Sequence, residues 1–307
     1  MSEISVDVEG VAHRFGAVVA LDGVGFSVGA RQMFALLGPN GGGKSTIFRL
    51  LATVLPLQEG RAVIGGFDVR SEARAARSIL GVLFQHPSLD RKLTVEENLR
   101  HHGRLYGQSG ASLGQRIGEV CEPLGLAERR GATVERLSGG WQRRAEIAKA
   151  LVPRPRVLLL DEPTTGLDPA GRRDFWKHLE SIRAQEGCTI LVTTHLMEEA
   201  ARCDQVVILD RGKVVATGAP AELVAGVGGN VVTVGTREPG RLIQAAREDL
   251  GAEGHRCGGG VRFDGGDGPA LVKELSGRYP DIIESVTLAK PTLEDVFFAK
   301  TGHGLNE

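Results

Sequence analysis

The chain has 307 residues, 24% of them charged and 41% hydrophobic, which excludes a disordered or fibrous protein and allows one large domain or a mid-sized one with a small companion. Lysine and arginine total 37 against 38 aspartate and glutamate, so no global positive field exists to hold nucleic acid. Glycine is in excess, 43 residues against the roughly 7% of average usage, and without a Gly-X-Y period it serves tight turns, loose loops or close approach of backbone to a ligand.

From Ile4 to Val28, short alternating stretches broken by glycine predict antiparallel strands. FALLG (34–38), RVLLLD (156–161) and CTILVTT (188–194) are apolar almost throughout, the pattern of parallel strands covered by helices on both faces. Residues 89–150 lack strand runs and carry helical spacing, with a helix predicted over 140–151, so they form a helical insertion between sheet strands. QVVILD-RG-KVVATG (205–218) reads as a hairpin, and the first domain is expected to span 1–220. The remainder, 221–307, predicts a strand (230–234), a helix (240–250), two short strands around 258–260, a helix (269–277), a strand (284–289) and a helix (293–300). That is the βαββαβ order of a small α+β, ferredoxin-like domain. The fold class expected for the main domain is α/β, a parallel sheet core with added antiparallel and helical parts.

Cys121, Cys188, Cys203 and Cys257 form no CxxC pair, which argues against a disulfide framework or zinc ribbon and fits a reducing setting. No apolar run approaches the roughly 18 residues of a membrane helix, and MSEISVDVEG does not resemble a signal peptide. Any service to a membrane is expected from the water side.

GPNGGGKST (38–46) matches GxxxxGK[ST] between an apolar strand and an amphipathic helix. Gly38, Asn40, Gly41, Gly42 and Gly43 let backbone N–H groups wrap a polyphosphate, and the helix start at Lys44, Ser45 and Thr46 adds positive potential. Lys44 reaches the β- and γ-phosphates, and Ser45 offers its hydroxyl to Mg2+. VLLLDEP sets Asp161 and Glu162 at the carboxyl end of a buried strand, where ligands of open α/β sheets bind. Asp161 suits Mg2+ held through water, and Glu162 suits polarisation of an attacking water. His195, closing CTILVTTH, either serves the fold or contacts a γ-phosphate and its water. Ser138, Gly139 and Gly140 in LSGGW either cap a helix in the ordinary way or form a second anion site.

GPNGGGKST, Gln85 in GVLFQHPS, LSGGW, VLLLDEP, TGLDP and TTH occur in the order found in ATP-binding-cassette (ABC) ATPases. Residues 4 to 220 resemble the nucleotide-binding subunit of an ABC transporter. The resemblance implies ATP hydrolysis with ATP and Mg2+ as cofactors, and two cassettes, permitted here to be a homodimer, closing head to tail over two ATP molecules. It implies that Ser138, Gly139 and Gly140 grip the γ-phosphate held by the other copy's P-loop. It further implies that Gln85 touches Mg2+ and the attacking water, that Asp168 runs across the dimer interface, that His195 is the switch histidine and that Phe15 stacks on adenine. For Phe15 the plainer reading is a core aromatic of the antiparallel part.

Two positions depart from the family pattern. Trp141 stands where glutamine is usual, and packs either on the partner's nucleotide or on membrane-facing helices. Gly42 replaces a small residue and is expected to loosen the loop. HPSLDRKLTVEENL (86–99) and PTLEDVFFAKTG (291–302) are similar to the ABC-2 type and daunorubicin-type exporter ATPases. The implied partner is a separate membrane-spanning permease, rocked by the flanks of Gln85 from His86 to Asn98, with the chain peripheral on the cytoplasmic face. The C-terminal extension is expected to stabilise the dimer.

The competing reading is a soluble ABC ATPase acting on nucleic acid or ribosomes. Such relatives carry two cassettes in one chain or long coiled coils, whereas here about 90 residues separate Lys44 from Ser138 with no sustained heptad pattern. A metabolic P-loop kinase offers no reason for LSGGW followed by VLLLDEP and TTH.

Overall fold

The computed structural model describes residues 4–304. It divides between Thr217 and Gly218 into two units, three residues before the boundary expected from the sequence.

The first unit opens with β1 (Ile4–Phe15) and β2 (Val18–Gly29), an antiparallel hairpin in register from Ile4 opposite Gly29 to Phe15 opposite Val18. It continues through β3 (Met33–Leu37), α1 (Lys44–Leu51), β4 (Glu59–Ile64), β5 (Phe67–Asp68), α2 (Ala73–Ser78), β6 (Leu80–Leu83), α3 (Val95–Leu105), α4 (Gly110–Cys121) and α5 (Gly139–Leu151). It ends with β7 (Val157–Asp161), α6 (Pro169–Glu186), β8 (Thr189–Thr194), α7 (Met197–Ala200), β9 (Gln205–Asp210) and β10 (Lys213–Gly218). One sheet is antiparallel, in the order β2-β1-β4-β5; the other runs β10-β9-β3-β8-β7-β6. The sequence reading does not find β4, β5, β6 or α2.

Every residue of β3, β7 and β8 is buried, which is why these runs carry no polar alternation. They pair in parallel, with Leu37 opposite Thr194 and Asp161 opposite Thr193. Their carboxyl ends therefore lie side by side, and the segments 38–46, 161–162 and 193–195 leave the sheet at one edge. The covering helices supply the apolar layer: Ile47, Phe48, Leu50 and Leu51 of α1 are buried, and Phe48 meets Phe84 edge-on with centroids 5.8 Å apart. α3 starts where the sequence LTVEE permits a capping box, with the Thr94 hydroxyl accepting from the Glu97 N–H and the Glu97 carboxylate accepting from the Thr94 N–H.

The second unit contains α8 (Pro220–Ala225), β11 (Val231–Gly235), α9 (Pro239–Leu250), β12 (Gly254–Cys257), β13 (Gly260–Asp264), α10 (Gly268–Arg278), β14 (Ser285–Ala289) and α11 (Leu293–Thr301). Its antiparallel sheet runs β12-β13-β11-β14, and the succession of elements along the chain from β11 to α11 is the one that the sequence predicts from residue 230 on. Val232 and Val234 of β11 alternate inward against Val261, Phe263, Leu242 and Leu275. Short α8 is absent from the sequence reading, which places a loop there.

All four cysteines are free, and burial pushes the thiols of Cys121 and Cys188 up to about 11. No helix among the described residues is long and apolar enough to cross a membrane.

The β9–β10 turn braces the loop after β3. Gly212 donates from N–H to the Gly42 carbonyl at 3.1 Å and accepts from the Asp22 N–H at 2.8 Å. Its φ is 78°, and a Cβ there would stand 2.7 Å from the Ala20 carbonyl oxygen. Gly212→Ala should therefore cost about 1–3 kcal/mol of stability. A denaturant-unfolding midpoint lowered accordingly, with faster amide exchange across 38–43, is the expected result.

Candidate functional site

The loop between β3 and α1 is shaped by contact with the β9–β10 hairpin. At Gly42 a Cβ would lie 3.1 Å from the Pro39 carbonyl oxygen and 3.2 Å from that of Leu209, and the Gly42 N–H donates to Pro39 O at 3.1 Å. A Cβ at Gly42 would therefore fit only tightly, with these neighbours giving way by a few tenths of an ångström. Gly43 is the N-cap of α1 and has no side chain to cap it, so the first-turn N–H groups of Lys44 and Ser45 have no intrahelical acceptor. Gly38 and Gly43 are buried, Ser45 and Thr46 half-buried, and Asn40 and Gly41 exposed.

Lys44 is only 4% exposed. Its Nζ donates to the carbonyls of Gly38 at 2.8 Å and Pro39 at 2.9 Å, and lies 4.0 Å from Glu162 Oε1. Burial lowers the pKa of this ammonium, while the negative charges of Glu162 and Asp161 oppose the shift.

At the end of β7, Asp161 accepts from the Thr193 hydroxyl at 2.5 Å. Burial raises the pKa of its carboxyl and the neighbouring Glu162 adds to the rise; the Thr193 bond, Arg49 and Lys44 pull the other way. Glu162 adopts φ 43°, the left-handed region that L-residues with a Cβ avoid. The conformation is held by its N–H, which donates to the Thr193 carbonyl at 3.2 Å and hydroxyl at 2.9 Å. The carboxylate accepts from Gln85 Nε2 at 3.3 Å and Thr165 Oγ1 at 3.2 Å, and His195 Nδ1 approaches it to 3.5 Å. The His195 Nδ1 is buried and makes no hydrogen bond. Lys44, Gln85, Thr165 and His195, from four separate segments, thus converge on one carboxylate.

Five predicted residues stand apart from this cluster. Phe15 is 49% exposed at the tip of the β1–β2 hairpin, edge-on to His13, so it is not the core aromatic of the plainer reading. Ser138 and Gly139 are exposed and Gly140 half-buried at the start of α5; the Ser138 side chain makes no capping hydrogen bond. Asp168 caps α6 by accepting from the Gly171 N–H at 2.8 Å. Among the described residues, none of these five hydrogen-bonds the P-loop of its own chain.

The ABC transporter family model matches residues 21–165. The chain is 38% identical, over 98% of its length and 97% of the relative's, to the daunorubicin resistance ATP-binding protein DrrA3 of Streptomyces coeruleorubidus. It is 36% identical, with both chains covered in full, to Nod factor export ATP-binding protein I of Rhizobium sp. strain N33. This chain belongs to the ABC transporter ATP-binding proteins. Among solved structures, this ABC ATPase resembles the ATP-binding cassette MJ0796 in a dimeric post-hydrolysis state bound to ADP and Pi, with a TM-score of 0.63 and 26% identity, covering 70% of this chain and 98% of that one. Binding and hydrolysis of ATP follow from membership.

Several residues of the ABC ATPase site carry no motif signal. Thr193 looks like one more strand residue, yet it serves both Asp161 and Glu162. Arg143 and Glu146, on α5, form a buried pair with Nη1 to Oε2 at 2.9 Å. Arg143 also donates to the carbonyls of Phe84 (2.8 Å), Asp161 (3.2 Å), Glu162 (3.3 Å) and Pro163 (2.7 Å). Glu146 accepts from the Ser88 N–H at 2.6 Å. Helix α5, the helix of the LSGGW signature segment, therefore clasps both the Gln85 loop and the loop after β7, and a cleft of about 220 Å³ lies between them. The only advance sign is a run of polar residues at i, i+3 spacing on an otherwise buried helix.

Trp141 packs within its own chain, with the Arg129 and Arg144 guanidiniums 4.0 and 4.5 Å from its ring centroid. Trp141→Gln, the residue usual in ABC ATPases, should cost about 1 kcal/mol of stability, read from chemical denaturation, while ATP turnover persists.

Asp161 gives a prediction with a definite sign. Its folded pKa is raised, so the native state keeps the proton to higher pH than the unfolded chain; the favourable contribution exists in acid and is lost as pH rises through the folded value. Above that value the ionised group costs stability. Asp161→Asn should raise the Tm of nucleotide-free protein by a few degrees while ATP turnover, measured as phosphate release, falls by about 100-fold or more.

Proposed function

We propose that this ABC ATPase energises an exporter of the ABC-2 type, working as a pair of cassettes beneath a separate membrane permease on the cytoplasmic face. The observation that carries the mechanism is the convergence of Lys44, Gln85, Thr165 and His195 on Glu162. Export is supported by the relative named for Nod factor export and by the one named for daunorubicin resistance.

In this reading the P-loop amides from Gly38 to Thr46 and the Lys44 ammonium hold the ATP phosphates. Phe15, exposed at its hairpin tip, offers a ring face to adenine. The Ser45 hydroxyl, the Gln85 amide oxygen and the Asp161 carboxylate are hard oxygen donors of the kind Mg2+ takes. A buried carboxylate whose charge is destabilised by desolvation gains most from a cation beside it. Mg2+, when bound, neutralises charge on the transferring phosphoryl group. Glu162 polarises the attacking water, and Gln85 and His195 fix the carboxylate that does so.

Ser138, Gly139 and Gly140 serve the second copy. The first-turn N–H groups of α5 lack intrahelical acceptors and the serine hydroxyl is uncommitted, so a γ-phosphate presented by a partner finds donors there. Asp168 lies at the start of the helix next to that interface. ATP drives closure because these donors are gained only in the closed pair; equal affinity for both states would shift nothing. The segment from His86 to Asn98, which follows Gln85, meets the permease in this reading.

Glu162→Gln keeps the volume and removes the base. ATP should then trap a stable dimer in size-exclusion chromatography while turnover falls by about 100-fold or more. Near-normal turnover removes Glu162 from the role. Copurification with a polytopic protein from detergent-solubilised membranes supports the permease; a purely soluble complex with RNA or ribosomes overturns the transporter reading.

A further inference from the structure

Glu199 on α7 is 2% exposed, and the mechanism above gives it no task. A carboxylate so far from water persists only when its oxygens are satisfied. Here two hydroxyl donors and one nearby guanidinium come from three segments of the site. The Thr164 hydroxyl donates to Oε1, the Thr194 hydroxyl donates to Oε2 at 2.7 Å, and Arg172 Nε lies 3.8 Å from Oε1. Thr164 is two residues beyond Glu162, Thr194 immediately precedes His195, and Arg172 sits in the first turn of α6, the helix capped by Asp168.

The direction of these bonds is forced. An ionised carboxylate is an acceptor only, so both threonine hydroxyls must give it their protons. Thr194, having donated to Glu199, presents a lone pair to the Leu196 N–H at 3.0 Å, a bond that spans His195. On the other side, tethering Thr164 fixes its neighbour Thr165, whose hydroxyl donates to the Glu162 carboxylate at 3.2 Å. An amide at position 199 would offer one acceptor and one donor, and one of the two hydroxyls would have to reverse.

We infer that Glu199 is a positioning residue for hydrolysis: its two carboxylate oxygens lock the turn carrying His195 and the turn following Glu162 into one geometry. The inference rests on the proposed roles of Glu162 and His195 toward water. Glu199 touches neither nucleotide nor water itself, so its removal acts on the rate of hydrolysis and leaves the P-loop alone.

The test uses the full chain with Glu199→Gln, Thr194→Val, His195→Ala and the two double variants with His195→Ala, and measures kcat, KM for ATP and the ATP-trapped dimer in a Glu162→Gln background. Glu199→Gln should lower kcat about ten-fold with KM changed by no more than about two-fold, the trapped dimer should persist, and the loss should not multiply with that of His195→Ala. Thr194→Val breaks the same relay without touching the carboxylate, so it gives the same pattern if Glu199→Gln fails to fold. Normal kcat in the folded variants, a loss that multiplies with His195→Ala, or a parallel loss of ATP affinity and dimer overturns the inference. Normal turnover in His195→Ala overturns the assignment of His195 and this inference with it; slow His195→Ala beside normal Glu199→Gln and Thr194→Val overturns this inference alone.

Discussion

Two carboxylates, consecutive in the chain and both nearly buried, face a single buried lysine. The rest of the site is organised around that imbalance. Asp161 is steadied by the Thr193 hydroxyl, and Glu162 is turned through a left-handed backbone conformation that costs about 1–2 kcal/mol for an L-residue. The turn is what brings its carboxylate within reach of Lys44, Gln85, Thr165 and His195 together; a regular strand ending would send consecutive side chains to opposite faces. Backbone strain at this point is offset by hydrogen bonds to Thr193 of β8, the strand that His195 immediately follows. Parallel pairing of β3, β7 and β8 is therefore a condition for the chemistry, since only adjacent carboxyl ends deliver the lysine, the acids and the histidine to one place.

How much of this could be read in advance follows from the kind of signal each part emits. Strands buried on both faces announce themselves as apolar runs, and β3, β7 and β8 are where FALLG, RVLLLD and CTILVTT place them. The C-terminal order of strands and helices was also legible, because glycine-rich turns separate short elements. β6, at four residues, and β5, at two, are too short to carry a period. Lys44, Gln85, Glu162 and His195 were found through motifs, and the fold brings them together. The same motifs named Phe15, Ser138, Gly139, Gly140 and Asp168, which remain outside that cluster in the single chain. Thr193, Arg143, Glu146 and Glu199 escaped notice because most of their partners lie 18 to 59 positions away in sequence. A lone threonine in a strand or an arginine in a helix states nothing about which distant carbonyl or carboxylate it meets.

The Arg143 clasp gives the signature segment a mechanical meaning within its own chain. Ser138 begins α5, and Arg143 lies one turn further along, holding the carbonyls of Phe84, Asp161, Glu162 and Pro163. Removing the guanidinium would strand Glu146 as a buried, unpaired charge, one of the costlier defects a protein can carry. Helix α5 is thereby tied at its start to whatever occupies the signature loop and at its second turn to the strand end bearing the acids. Lys149, six residues or about 1.7 turns beyond Arg143, donates to the Ser88 carbonyl at 3.0 Å and extends the same grip to the Gln85 loop.

Trp141 brings a different kind of consequence. The chain has two tryptophans, and the other, Trp176, is sealed in the core at 1% exposure. Trp141 is half-buried in the first turn of the signature helix, with two guanidiniums against its ring. Indole emission depends on nearby charge and solvent, so this residue is an optical probe that the protein already carries at its signature loop. Changes in that segment can be followed in unlabelled protein through the Trp141 share of the emission from the two indoles.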